Sequence, residues 1–233
     1  MEKILSYWFE HALSNAVLAR QPDMNASFDR WFKGKEDDLQ QAIWDNSFKR
    51  ADDWPDTAKG QIARVILYDQ IPRGCFRGTP QAFVYDVQAT FWADRFLNAS
   101  YPSPMSLSSP ICLSYLFMIL VSLSHSEQLD VQVRSLNLSA QFAQEVSQLT
   151  WLSPKTRQQL AQVHSEAQQH YDVVRAFGRF PHRNRVLGRE STPEEKQFLQ
   201  QSQLPNWMKS QSIKGTHNNG TDALPTEPKP GKS

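Results

Sequence analysis

Cysteine is almost absent from this chain. Cys75 and Cys112 are the only two among 233 residues. They are too few and too far apart for a disulfide framework, and are expected to be reduced thiols of a cytoplasmic protein. No paired cysteines and no His-Glu-x-x-His segment offer metal-site spacing, so no metal and no cofactor are expected. An excess of one charge is also missing. The 25 basic residues face 24 acidic ones, which argues against nucleic acid as a partner. Strand-like alternation is scarce. The start, Met1 to Phe9, carries Glu2 and an amphipathic pattern where a secretory leader has an apolar core.

One stretch imitates a membrane span. From Phe96 to Ser124 nothing is charged, and Ile111 to Leu123 is almost wholly apolar. That apolar part is about 13 residues against the ~20 a bilayer needs. Pro102, Pro104 and Pro110 interrupt its front, and no basic cluster flanks it. A buried core helix is expected, with no membrane partner.

What is present is helical periodicity. With 39% hydrophobic residues and seven tryptophans, the chain can build one core. Helices are predicted near residues 2–20, 36–50, 57–70, 80–99, 110–123, 126–149, 154–177 and 193–203. Ser153-Pro154 marks an N-cap, and Thr192-Pro193-Glu194-Glu195 a capping box. Gly178 suits a left-handed helix end, and Pro181 blocks continuation. Pro72 should end the third helix near Gln70. The expected fold is all-α, a stack of antiparallel helix pairs over residues 1–207. Residues 208–233, rich in Gly, Pro, Asn, Thr and Lys, are expected to form a disordered tail.

The densest chemistry lies between Arg175 and Arg189. Five arginines occur there without a carboxylate, leaving 20 basic against 24 acidic residues elsewhere. Such a cluster binds an anion or pairs with buried acids. Polar residues also stand on apolar stripes. Asp69 continues Ile62, Val65 and Ile66, and His170 interrupts Leu160, Val163, Ala167, Val174 and Phe177. Ser126 heads a predicted core stripe of Leu129, Val133, Leu136, Ala140 and Ala143. Buried charges need partners, so Asp69, Glu127, His170 and the arginine-rich loop are expected to meet. The loop Asp69 to Pro80, with Arg73 and Arg77, lacks the Gly-Lys-Ser/Thr of a phosphate loop. His164-Ser165-Glu166 is expected to face solvent.

These segments resemble a bacterial domain-of-unknown-function family. The motifs are Tyr7-Trp8-Phe9, Leu67 to Arg73, Phe76 to Pro80, His125-Ser126-Glu127 with Leu129 and Gln132, His170, and Phe177 to Asn184 with Leu187-Gly188-Arg189. Ser191-Thr192 and Glu194-Glu195 complete them, and the likeness runs from Ile4 to Leu199. It implies a tetratricopeptide-like helical fold and supplies no activity. Two positions depart from the family pattern: Ser122 stands where proline is usual, and Gly74 where asparagine is usual.

Three functions fit. In the first, Arg73, Arg77, Arg179 and Arg183 bind a phosphate- or carboxylate-bearing small molecule or peptide. His182 and Asn184 add hydrogen bonds, while Asp69, Glu127 and His170 orient the arginines. In the second, the protein is a hydrolase or transferase with His125 or His182 as base and Glu127 as its partner. In the third it is a scaffold for another protein.

Overall fold

The computed structural model describes residues 1–13, 37–99, 107 and 109–210. The predicted extension of the first helix to residue 20, and tail residues 211–233, lie outside the described residues. Among the described residues the chain is all-α and contains no strand. Ten α-helices follow in order: α1 (Glu2–Leu13), α2 (Asp37–Ser47), α3 (Ala58–Val65), α4 (Ile71–Cys75), α5 (Asp86–Asn98), α6 (Pro110–Ser124), α7 (Leu129–Ser147), α8 (Pro154–Phe177), α9 (Pro193–Leu199) and α10 (Asn206–Ser210).

The apolar run became the centre of the molecule. In α6, Leu113, Leu116, Phe117, Met118, Ile119, Leu120 and Leu123 are all buried. From residue 113 to 124 every side chain of α6 is buried, so this stretch carries no polar face. It packs against α1, α3, α5, α7 and α8. Ser109 caps it by accepting from the Cys112 amide at 3.3 Å, and Pro110 occupies the first turn. No helix among the described residues is long and apolar enough to cross a membrane.

Helix α3 does not stop where Pro72 predicts. A π turn, Ile66–Gln70, links it to α4, with the Ile71 amide donating to the carbonyl of Ile66. The widened turn leads Pro72 into the first turn of α4, where its missing N–H costs nothing. A second pin is Arg64, fully buried on α3, which donates to the carbonyls of Ala51, Trp54 and Pro55.

Helices α7 and α8 form the most extensive pair, joined through residues 148–153. The face α7 buries is not the predicted one. Leu129 and Val133 are exposed, while Val131, Gln132, Ser135, Ser139, Phe142 and Val146 are buried. Small serines let the helices approach closely, and Gln132 donates to the carbonyls of Ser124 (2.7 Å) and Ser126 (2.6 Å) at the end of α6. His164, expected in solvent, is half-buried with Nδ1 3.2 Å from Ser139 Oγ.

The predicted helix over 80–99 is divided. Pro80–Ala82 is a 3-10 turn, and α5 begins only at Asp86. The last predicted helix ends at Leu199, and a short α10 follows Pro205. Met208 in α10 is buried, so the boundary expected at 207/208 falls inside a helix.

Candidate functional site

The π turn places Asp69 at full burial, 0% exposed. Such turns recur at functional sites because they redirect a side chain without ending the helix. Asp69 Oδ1 lies 2.9 Å from an Arg73 amino group and 2.8 Å from His125 Nδ1, while Gln70 donates to Oδ2. Arg73, one turn further on, forks onto Asp86 at 2.8 and 2.9 Å. Asp86 Oδ2 also accepts from Arg183 at 3.0 Å, and Arg183 donates onward to the His125 carbonyl at 3.0 Å. Asp69, Arg73, Asp86, Arg183 and His125 thus close a hydrogen-bonded circuit. The Arg183 guanidinium sits between the rings of Phe83 and Phe180, 4.5 and 4.4 Å from their centroids.

Charges inside the circuit balance, two guanidiniums against two carboxylates. Burial alone would raise the Asp69 carboxyl, but Arg73 and then His125 hold it well below the usual carboxylate range. Burial likewise opposes the Arg73 charge, and Asp69 and Asp86 more than offset it. Arg183 shares one carboxylate, so burial lowers it to about 10, still protonated at neutral pH. Since Asp69 stays ionised, His125 must carry its proton on Nδ1 to bond it. Its Nε2 lone pair is then free to act as a base. Burial and Arg73 push the His125 imidazole down from 6.5, so it is neutral at pH 7.

A second network fastens the arginine-rich loop. Glu127 accepts from Arg189 at 2.7 and 3.0 Å and from the Phe180 amide at 2.8 Å. Arg189 also donates to Asn184 Oδ1 at 3.0 Å, and Asn184 donates to Glu195 at 3.0 Å. Glu195 grips Arg179 at 2.7 and 2.9 Å and completes the capping box with Thr192. Gly178 ends α8 at φ +69°, turning the chain into this loop.

Around these networks stand two more histidines. The His170 ring lies 5.9 Å from that of His125 and 5.6 Å from Phe180, and its Nδ1 donates to the Glu166 carbonyl at 2.7 Å. His182 lies 5.6 Å from Phe180. Burial lowers both imidazoles, His170 to about 3 and His182 to about 2, the latter helped by Arg183.

Nine of the ten residues singled out in the sequence converge here: Asp69, Arg73, His125 and Arg183 in the circuit, Glu127, Arg179 and Asn184 in the loop fastening, His170 and His182 beside them. Arg77 is exposed on the turn after α4. Asp86, Glu195 and Trp207 were not assigned a place in the site from sequence, and Arg189 was expected only as one of the loop's arginines meeting the buried acids. Asp86 at a helix start reads as a residue favourable to the helix dipole, and Glu195 reads as a capping glutamate alone. Among the described residues no group of three His, Cys, Asp or Glu is disposed to hold a metal. A cleft of about 570 Å³ lined by Asp56, Gln61, Phe91, Asp94, Arg95, Asn98 and Ala99 shares no residue with the cluster.

Residues 4–203 match the model of a family described as bacterial protein of unknown function, DUF924. A solved structure titled as a protein of unknown function, ATU0120 from Agrobacterium tumefaciens, is similar at 30% identity and TM-score 0.55. The likeness covers 85% of this chain and 96% of that one. No curated protein matches the chain. A buried acid on a π turn, a histidine bound to it and a fastened arginine loop are therefore features of a chain that belongs to the DUF924 family of bacterial proteins.

Proposed function

We propose that the protein is an acid–base enzyme, a hydrolase or transferase in which His125 is the general base and Asp69 its positioning residue. The observation that carries this is the 2.8 Å bond between His125 Nδ1 and Asp69 Oδ1. The Asp69 side chain is 1% exposed and that of His125 18% exposed, so the dyad has a sealed end and an open one. The buried carboxylate fixes the tautomer, and the open imidazole takes a proton from water or a substrate hydroxyl at Nε2. Arg73 keeps Asp69 ionised while the circuit stays neutral.

Direct capture of an anion by the arginines has less support. Arg73, Arg179 and Arg183 already hold Asp69, Asp86 and Glu195 at 2.7 to 3.0 Å, and an incoming phosphate or carboxylate must displace them. The test is turnover of a panel of para-nitrophenyl carboxylate and phosphate esters by the full chain, with His125→Asn and Asp69→Asn alongside. Turnover lost in folded His125→Asn and reduced in Asp69→Asn supports the reading. Turnover unchanged in His125→Asn overturns it.

A second reading, a scaffold, is favoured by an apolar surface. Arg183 ties Asp86 to His125, and an Arg134–Asp94 ion pair joins α5 to α7 further along. Val87 and Phe91 lie on α5, and Leu129 and Val133 on α7. These four and Val84 are 42 to 68% exposed, large apolar side chains available to a partner. Phe91→Asp should abolish capture of a partner protein if this face is used, and leave the esterase panel unchanged.

A further inference from the structure

Trp207 lies beyond residues 4–203, the stretch matched by the family. It is carried by α10, a helix of five residues. Its indole stacks on His170, with centroids 3.8 Å apart and planes 16° apart. The edges of the indole face two further rings, Phe180 at 5.7 Å and His182 at 5.2 Å, both at 75°. This is the geometry in which a planar ring is held by one face and two edges. The floor and walls of the slot come from α8 and the arginine-rich loop, and only the occupant comes from α10. The indole N–H donates to Gln169 Oε1 at 3.2 Å.

The occupant does not satisfy the slot. His182 Nδ1 is buried and has no hydrogen-bond partner among the described residues. A buried nitrogen left unbonded is destabilising, and the carbon edges of an indole offer it nothing. Ring stacking, a donor-accepting Gln169 and an unmet nitrogen on His182 together specify a flat heteroaromatic ring. Such a ring bears an N–H on one edge and a hydrogen-bonding nitrogen or oxygen on another.

We infer that the slot formed by His170, Phe180 and His182 is a binding site for a planar nitrogen heteroaromatic ring, and that Trp207 occupies it as an intramolecular stand-in. The chain's own C-terminal segment then competes with the ligand at high effective concentration. The slot adjoins His125 but does not depend on that residue acting as a base, because the prediction concerns binding alone.

The experiment compares indole with 7-azaindole, which has the same shape and one added ring nitrogen, by calorimetry on the full chain and its Trp207→Ala variant. An apolar cavity left by a deleted tryptophan prefers indole. A polar ligand site prefers 7-azaindole, by about fivefold for one net hydrogen bond. The expected result is that 7-azaindole binds Trp207→Ala at least fivefold tighter than indole does. It should bind the unaltered chain at least tenfold more weakly, and the preference should vanish when His182→Phe is added. Equal binding or a preference for indole overturns the proposal, as does no binding to a folded variant. A Trp207→Ala chain that fails to fold and is not restored by 7-azaindole overturns it as well, since Trp207 is then a core residue.

Discussion

Arg183 bonds Asp86 at 3.0 Å across 97 positions of sequence. That contact, with the fork of Arg73 onto the same carboxylate, makes Asp86 the only acid serving Arg183 inside the circuit. Removing it leaves two buried guanidiniums against Asp69 alone. Asp86→Ala is therefore expected to destabilise by about 3 to 5 kcal/mol, read as a fall in the urea midpoint. Adding Arg183→Leu should recover part of the loss, because it removes the stranded charge. A double variant as unstable as the sum of the singles contradicts this account.

Glu127 and Arg189 look like an ordinary ion pair, each about a quarter exposed. The pair alone is expected to contribute only about 1 kcal/mol at such exposure. Glu127 does more, since it also accepts the Phe180 amide at 2.8 Å, and an orphaned amide costs about 1 to 3 kcal/mol. Arg189 also donates to Asn184 Oδ1 at 3.0 Å and to the Phe180 carbonyl at 3.2 Å, so the comparison that isolates the amide is within position 127. Glu127→Ala should be more damaging than Glu127→Gln, whose amide oxygen still accepts. Equal losses for Glu127→Ala and Glu127→Gln, measured by chemical denaturation, show that the amide contact carries no weight.

These contrasts explain what could be read from sequence. Asp69 and His170 were legible because each breaks an apolar stripe at helical spacing, and Arg183 because its window lacks carboxylates. Asp86 was not legible, since an acid in a first helical turn needs no tertiary explanation. The face of α7 was misread because hydrophobicity favoured Leu129 and Val133. Close packing instead selected Ser135 and Ser139, and the end of α6 required Gln132. The π turn was hidden because Pro72 signals a helix end in an α-helix, and not in a widened turn.

Gly74 has a specific neighbour. A Cβ at this position would lie 1.5 Å from Gln40 Oε1, and Gln40 is buried with its amide 3.4 Å from the Tyr7 hydroxyl. The glutamine end fills the space that a side chain at position 74 would occupy. Gly74→Asn alone is expected to cost about 1 to 3 kcal/mol through overpacking. In a Gln40→Ala background the same change should be near neutral, giving a coupling of at least about 1 kcal/mol in a double-mutant cycle. Additive effects would separate the two positions.

Acid should unfold this protein earlier than its carboxylates require. Burial holds His125, His170 and His182 below the imidazole value of 6.5, the last two near 3 and 2. Between those values and 6.5 the unfolded chain binds protons that the folded chain refuses, so stability is complete above 6.5 and is lost as pH falls below it. His170 and His182 each contribute a slope approaching about 1.4 kcal/mol per pH unit, roughly 3 for the two together, and His125 adds to it in the same direction. Asp69, Glu127 and Glu195 are held below their ordinary values, Glu195 to about 2. Their stabilisation begins to fade only below about pH 4.5. A decline in the free energy of unfolding from pH 6.5 to 5.5 is thus a histidine signature. His182→Phe keeps an aromatic wall without a titrating nitrogen and should flatten that slope by about 1.4 kcal/mol per pH unit. Urea denaturation at pH 7.5, 6.5, 6.0 and 5.5 decides the matter: a flat profile would show that the three imidazoles become protonated within the fold.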